Sequence, residues 1–218
     1  SKGAILAMTK TFARALAPSG VVVVGGFGFP LLREALDGYL ARTPDRPPVT
    51  LLENTAFRDG NLVSFQTARP LLREDFVLLN VDHVFRPTIA PIVAAPADVV
   101  TAFIDTDRTL GADDMKVERD GRGHVRRIAK TLTTWDAGYV GMTRVPAREH
   151  DRYFAEIDRA LAEEGRAIHV ERILARLATS DAPPGCRDIS GHGWLEVDTP
   201  DERDRAEQAY AGPGWARP

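Results

Sequence analysis

Two aspartates that close short apolar runs offer the clearest chemistry in this sequence. Asp82 follows Phe76-Val77-Leu78-Leu79-Asn80-Val81, and Asp198 follows Trp194-Leu195-Glu196-Val197. In open α/β sheets, ligands gather at the carboxyl ends of the strands. A carboxylate there can hold magnesium, which takes hard oxygen ligands from one or two carboxylates and from substrate phosphates. Each aspartate alone is as readily a turn or capping residue. After Asp198, the stretch Thr199-Pro200-Asp201-Glu202 predicts a helix start, with Thr199 as N-cap, Pro200 at the first helical position and Glu202 closing a capping box. That accounts for the neighbours and leaves Asp198 unexplained. Two such aspartates from distant parts of the chain make a better metal pair than either makes alone.

Two further groups have the chemistry of nucleotide and phosphate sites. In Asp59-Gly60-Asn61-Leu62-Val63-Ser64, glycine lets the backbone approach a ligand and the next amides point outward from a helix start. Asn61 can offer both donor and acceptor to a base edge. A plain Gly-Asn turn has the same letters. The second group is Lys116 and Lys130. Of 28 basic residues only these two, Lys2 and Lys10 are lysines, so arginine is the default cation of the chain. A lysine is a slim point charge suited to a crowded phosphate; surface charge is the plain alternative. The histidines (His83, His124, His150, His169, His192) show no zinc-type spacing. Walker loops, G-x-S-x-G elbows and cysteine-nucleophile motifs are missing from the sequence.

The elements that must position these residues alternate between short β-branched runs and amphipathic stretches. Strands are predicted at 21–24, 49–52, 75–81, 98–104, 135–142 and 193–197, with 75–81, nearly all apolar, as a central strand. A hairpin is predicted from 117–118 and 125–128 around the turn Asp120-Gly121-Arg122-Gly123. Helices are predicted at 31–40, 61–72, 153–161, 172–178 and 201–210, and a helix or loop at 90–95. Such alternation argues for an α/β fold: a mostly parallel, mixed sheet with helices on both faces. Repeats and linkers are not visible, and residues 1–218 read as a single domain.

Composition narrows the function classes. A formal net charge of −3 argues against a bulk nucleic-acid or membrane-surface binder, and no apolar run approaches the length of a membrane span. The single cysteine, Cys186, rules out an intramolecular disulfide framework and suits a reducing cytoplasm. No secretory leader is visible, so a cytoplasmic location is expected.

Taken together, the segments LENTAFRDGNLVSFQTARPLL, FVLLNVDHVF, DDMKVERDGRGHVRRIAKTLTTWDAGYVGM and GHGWLEVDTPDERDRAEQ resemble the nucleotidyltransferase superfamily of sugar-phosphate pyrophosphorylases, and within it the inositol-1-phosphate cytidylyltransferases. The resemblance covers most of residues 49 to 208 in family order. It implies a Rossmann-like nucleotidyltransferase fold and magnesium held by Asp82 and Asp198. It implies that Gly60, Asn61 and Ser64 lie near the nucleotide and that Lys130 meets the acceptor phosphate, with Lys116 and Asp136 supporting it on the substrate side. The implied catalytic set is Lys130, Asp82 and Asp198. The implied reaction moves CMP from CTP to a phosphorylated alcohol, inositol 1-phosphate, with phosphocholine, a sugar 1-phosphate or another triphosphate as alternatives. The implied partners are these small molecules, with no nucleic acid and no membrane. One family feature departs from the pattern. The family's glycine-rich LAAGxGxR loop should follow the strand that Ala4-Ile5-Leu6-Ala7 resembles, but Met8-Thr9-Lys10 comes at once. A non-catalytic nucleotide-binding or scaffold domain is therefore the alternative from another class.

Overall fold

Short β-branched and apolar runs form the strands, and amphipathic stretches between them form the helices, across the described residues 20–44, 47–212 and 215 of this computed structural model. In chain order the strands are β1 (Val21–Gly25), β2 (Val49–Glu53), β3 (Phe76–Leu79), β4 (His83–Phe85), β5 (Thr101–Asp105), β6 (Lys116–Arg119), β7 (Val125–Ala129), β8 (Ala137–Val145), β9 (Gly185–Asp188) and β10 (Trp194–Glu196). The helices are α1 (Phe29–Arg42), α2 (Asn61–Ala68), α3 (Ala90–Ala94), α4 (His150–Glu164), α5 (Glu171–Leu177) and α6 (Pro200–Ala211). The chain divides into two compact units. One takes the described residues of Ser1–Thr55, Asn80–Ala95 and His192–Pro218; the other takes Ala56–Leu79 and Pro96–Gly191.

In the first unit the four-valine run makes β1, which pairs in parallel with β2 from Val21↔Val49 to Gly25↔Glu53, with α1 as the crossover. Helix α1 buries Phe29, Leu36 and Tyr39. A second pair, β4 and β10, runs antiparallel, with Trp194 opposite Phe85 and Glu196 opposite His83. Val84 and Val197 from this ribbon pack with Ala206 of α6 and with Trp215 in a small apolar core. Helix α6 opens with the expected capping box: Thr199 Oγ1 accepts from the Glu202 amide, and the Glu202 carboxylate accepts from the Thr199 amide.

In the second unit the long strand β8 is the organiser, with every one of its residues buried. It pairs with β5 along one edge, and with β6 and then β3 along the other. Strand β7 extends the sheet beyond β6, and β9 runs parallel to β5. Helices α4 and α5 supply Tyr153, Ile157, Ile173, Leu174 and Leu177 to the core built on Ala102, Ile104, Val117 and Tyr139.

The α/β class and the mixed sheet stand as the sequence suggests. The balance inside the sheet is different: two of the described strand pairs are parallel and five antiparallel. Hairpins and short returns connect β6, β7 and β8, and such connections cannot make parallel neighbours. Strand β3 stops at Leu79 and is only half-buried, so β5 and β8, not 75–81, form the centre. The helix expected over 61–72 ends at Ala68 and finishes as a 3₁₀ turn, Arg69–Leu71, where Pro70 removes a backbone donor. Strand β9 was not anticipated, because Gly185-Cys186-Arg187-Asp188 has neither alternation nor β-branching. The strand expected at Ala4–Ala7 lies outside the described residues. Among the described residues no helix is long and apolar enough to cross a membrane.

Candidate active site

Asp82 does not end a strand. It sits with Val81 in the turn that enters β4. Because β4 and β10 are antiparallel, the start of one and the end of the other share an end of the ribbon. The Val197 amide donates to the Asp82 carbonyl at 2.8 Å, which continues the ladder one step and leaves Asp198 as the next residue. The two aspartates, 116 positions apart in sequence (198 − 82), are thus neighbours at one end of one ribbon.

The surroundings of the two carboxylates differ. His83 is buried, its ring stacks on Trp194 at 4.8 Å between centroids, and its Nδ1 lies 2.6 Å from Asp82 Oδ1. That hydrogen bond holds the Asp82 carboxyl below the usual carboxylate range, against an opposing push from burial. Asp198 is exposed. Its backbone amide donates to Glu202 Oε2 at 3.0 Å, so the α6 capping box fixes its backbone, while its carboxylate has no partner among the described residues. Carboxylates of this kind have the chemistry of magnesium ligands, and magnesium keeps several waters and needs only one or two carboxylates from the protein. Among the described residues no three His, Cys, Asp or Glu side chains gather to hold a metal, so an ion here would complete its shell with phosphate and water oxygens.

In the second unit, Lys116 and Lys130 meet at one end of the β6–β7 hairpin. Lys116 pairs with Ala129 across the ladder, and its buried Nζ donates to the carbonyls of Lys130 (2.9 Å), Gly111 (2.7 Å) and Asp114 (3.3 Å). The indole of Trp135 lies 5.3 Å from the same ammonium. Lys130 itself is exposed, and among the described residues its ammonium has no partner. Asp136 is occupied elsewhere: its carboxylate accepts from both the backbone amide and Nε of Arg119, and its amide donates to Val117. It clamps β6 to the approach to β8.

Gly60, Asn61 and Ser64 sit at the start of α2, where the first two have structural duties. Gly60 has φ +119°, and a Cβ there would come within 2.6 Å of the Arg166 carbonyl and 2.9 Å of the Ile168 carbonyl. Asn61 Oδ1 accepts from the Val170 amide at 2.8 Å, just ahead of α5, and Asp59 pairs with Arg166 at 2.8 Å. Ser64 is half-buried one turn further on. The sequence reading gave no role to His83 or to Glu202's hold on Asp198. The adjacency Asp82-His83 and the capping-box spacing were the signals that could have found them.

No family model matches the chain. Among curated proteins it is 31% identical over 176 residues to a protein of Rubrobacter xylanophilus named "Bifunctional IPC transferase and DIPP synthase", an alignment covering 78% of this chain and 37% of that protein. The chain therefore spans little more than a third of the curated relative it matches. Among solved structures it superposes on the inositol-1-phosphate CTP transferase from T. maritima with a TM-score of 0.70 and 16% identity, covering 90% of this chain and 78% of the other. It superposes on CTP:phosphocholine cytidylyltransferase from Streptococcus pneumoniae with a TM-score of 0.68 and 14% identity, covering 94% and 84%. A UDP-glucose pyrophosphorylase complexed with UDP-glucose gives a TM-score of 0.73 at 10% identity, covering 95% and 86%. By fold the chain is similar to these solved nucleotidyltransferases. By sequence it is similar to the bifunctional protein of R. xylanophilus over part of that protein's length.

Proposed function

We propose that this chain is the catalytic part of a cytidylyltransferase that moves CMP from CTP to a phosphorylated alcohol, inositol 1-phosphate, and releases pyrophosphate. The observation that carries the reading is that the backbones of Asp82 and Asp198 lie at the same end of the β4–β10 ribbon, with His83 hydrogen-bonded to Asp82. The sequence similarity to an IPC transferase supports the choice of acceptor. A phosphate monoester has a second pKa of about 6, so near neutrality it is largely a dianion and needs no general base. Its oxygen attacks the α-phosphorus as the bond from that phosphorus to the bridging oxygen breaks. The protein must align two anions that repel and stabilise the leaving charge, so positioning and electrostatics supply most of the catalysis. Asp82 and Asp198 would hold magnesium, which when bound neutralises phosphate charge. Lys130 would orient the acceptor phosphate. Gly60, Asn61 and Ser64 would face the nucleotide, with Asn61 Nδ2 left to donate after Oδ1 has been used on Val170.

Pyrophosphate release from the intact gene product, scored across a panel of triphosphates and phosphorylated alcohols, tests this. CTP with inositol 1-phosphate should give the highest kcat/KM. A preference for phosphocholine, for a sugar 1-phosphate or for another triphosphate would redirect the substrate assignment. One observation favours a second reading, a nucleotide-binding domain without turnover: the Gly-x-Gly-x-Arg stretch is missing after Ala7 in this sequence. Nucleotide binding by calorimetry with no pyrophosphate from any pair would favour that reading.

A further inference from the structure

Lys116 is a buried ammonium that no carboxylate neutralises. Its bonds go to three backbone carbonyls, those of Gly111, Asp114 and Lys130, and among the described residues it forms no ion pair. Burying a charge costs stability unless it is paired and hydrogen-bonded, and a well-packed apolar residue would serve stability as well or better. Acidic partners are not scarce in a chain with 31 aspartates and glutamates. Two consequences follow from the geometry. All three ammonium protons are used, so Lys116 has none left for a substrate. One of them fixes the carbonyl of Lys130, the residue whose own ammonium is exposed and without a partner.

We propose that Lys116 is a positioning residue for Lys130. Its clamp on the 130 carbonyl and on the Gly111–Asp114 loop presents the Lys130 side chain at one place, and its uncompensated charge makes this end of the hairpin favourable for a phosphate monoester. This rests on the acceptor-phosphate reading of Lys130. Trp135, lying over the ammonium, shields it from water and so keeps its field strong.

The chain has only four lysines, so the Cε–Hε signals of the intact protein are few enough to assign. Inorganic phosphate is the probe. It should shift the Lys130 signal in the unsubstituted protein and leave that of Lys116 in place. Lys116→Met keeps the stem and removes the charge. It should raise the acceptor KM about tenfold, the scale of a lost charge-assisted contact, and weaken the phosphate shift at Lys130 to match. The KM for CTP should not change. Lys116→Arg keeps the charge, but a planar fork cannot converge on three carbonyls; it should restore the acceptor KM only in part. A folded Lys116→Met protein with the original acceptor KM and the original phosphate shift overturns the inference alone. If Lys116→Met does not fold, full activity in Lys116→Arg overturns it. Phosphate that never shifts the Lys130 signal overturns the acceptor reading, and this inference with it.

Discussion

A cation-binding aspartate would have to be ionised and held in one orientation, and the hydrogen bond from His83 would serve both needs at Asp82. The Nδ1–H of His83 fixes Oδ1 and leaves Oδ2 for a ligand, and the stack on Trp194 fixes the imidazole. Replacing His83 by Phe should keep the stack and remove the donor. The Asp82 pKa should then rise toward the ordinary value of about 3.9, read by carboxyl-carbon NMR titration; an unchanged Asp82 titration would show that His83 does not hold it. The exposed Asp198 makes the complementary case. Asp198→Asn should change stability by no more than about 0.5 kcal/mol, as expected for a surface site, yet abolish pyrophosphate release. Asp82→Asn should abolish release too, at a stability cost of about 1 kcal/mol for the lost contact with His83. Lys130→Ala should raise the acceptor KM and lower kcat while CTP affinity and Tm hold. Original acceptor kinetics in that variant would make Lys130 surface charge.

At the scale of elements, the turn before α2 gives Gly60 and Asn61 structural duties of their own. The approach of the 166–168 backbone accounts for Gly60, so Gly60→Ala should destabilise by about 1–3 kcal/mol from strain and crowding, seen as a lower urea midpoint with or without nucleotide. Its neighbour separates the two roles. Asn61→Ala should cost about 1 kcal/mol for the lost bond to Val170 and, if the nucleotide role holds, CTP affinity as well. Strands and helices with clean periodicity were legible in the sequence, among them β1, β2, α1, α4 and α6 with its capping box. What was not legible depends on partners distant in the chain. β9 exists because β5 offers it a free edge, and β3 ends early because the chain turns at Val81-Asp82 into β4. In β7, Val125 and Ile128 are both buried although three apart, because the register against β6 shifts between Glu118 and Arg119. That irregularity turns Arg126 and Arg127 out to Glu118 and breaks the period-two pattern. Asp82 and Asp198 were visible as two separate aspartates; that they share a ribbon end follows from antiparallel pairing, which no local pattern encodes.

Across the whole chain, the titrating groups set a stability window closed from both sides. Hydrogen bonds from Ala147 for Asp75, from His83 for Asp82 and from Arg69 for Asp158, and the arginines beside Glu156 and Glu164, hold all five carboxyls below their ordinary values. For such groups the unfolded chain binds protons first as pH falls. Their stabilisation is complete above about pH 5 and is lost below about pH 4, as the pH passes through the folded-state values. The alkaline side works in reverse. Burial pushes the Cys186 thiol up to about 12, and burial also raises the Tyr139 phenol. The unfolded thiol ionises near 8.5, so the native state keeps a proton that the unfolded chain gives up. The stability tied to Cys186 is full below about pH 8.5 and drains away as pH climbs toward the folded value. Cys186 should therefore resist iodoacetamide at pH 8 until the protein unfolds, since the thiolate is the nucleophile. Cys186→Ala removes the cysteine's share of the alkaline loss without touching the tyrosines. Urea midpoints at pH 7, 9 and 9.5 should fall less steeply for Cys186→Ala than for the unsubstituted protein, whatever the offset between them at pH 7 from the smaller side chain. Parallel curves would show that the thiol is not held protonated by the fold.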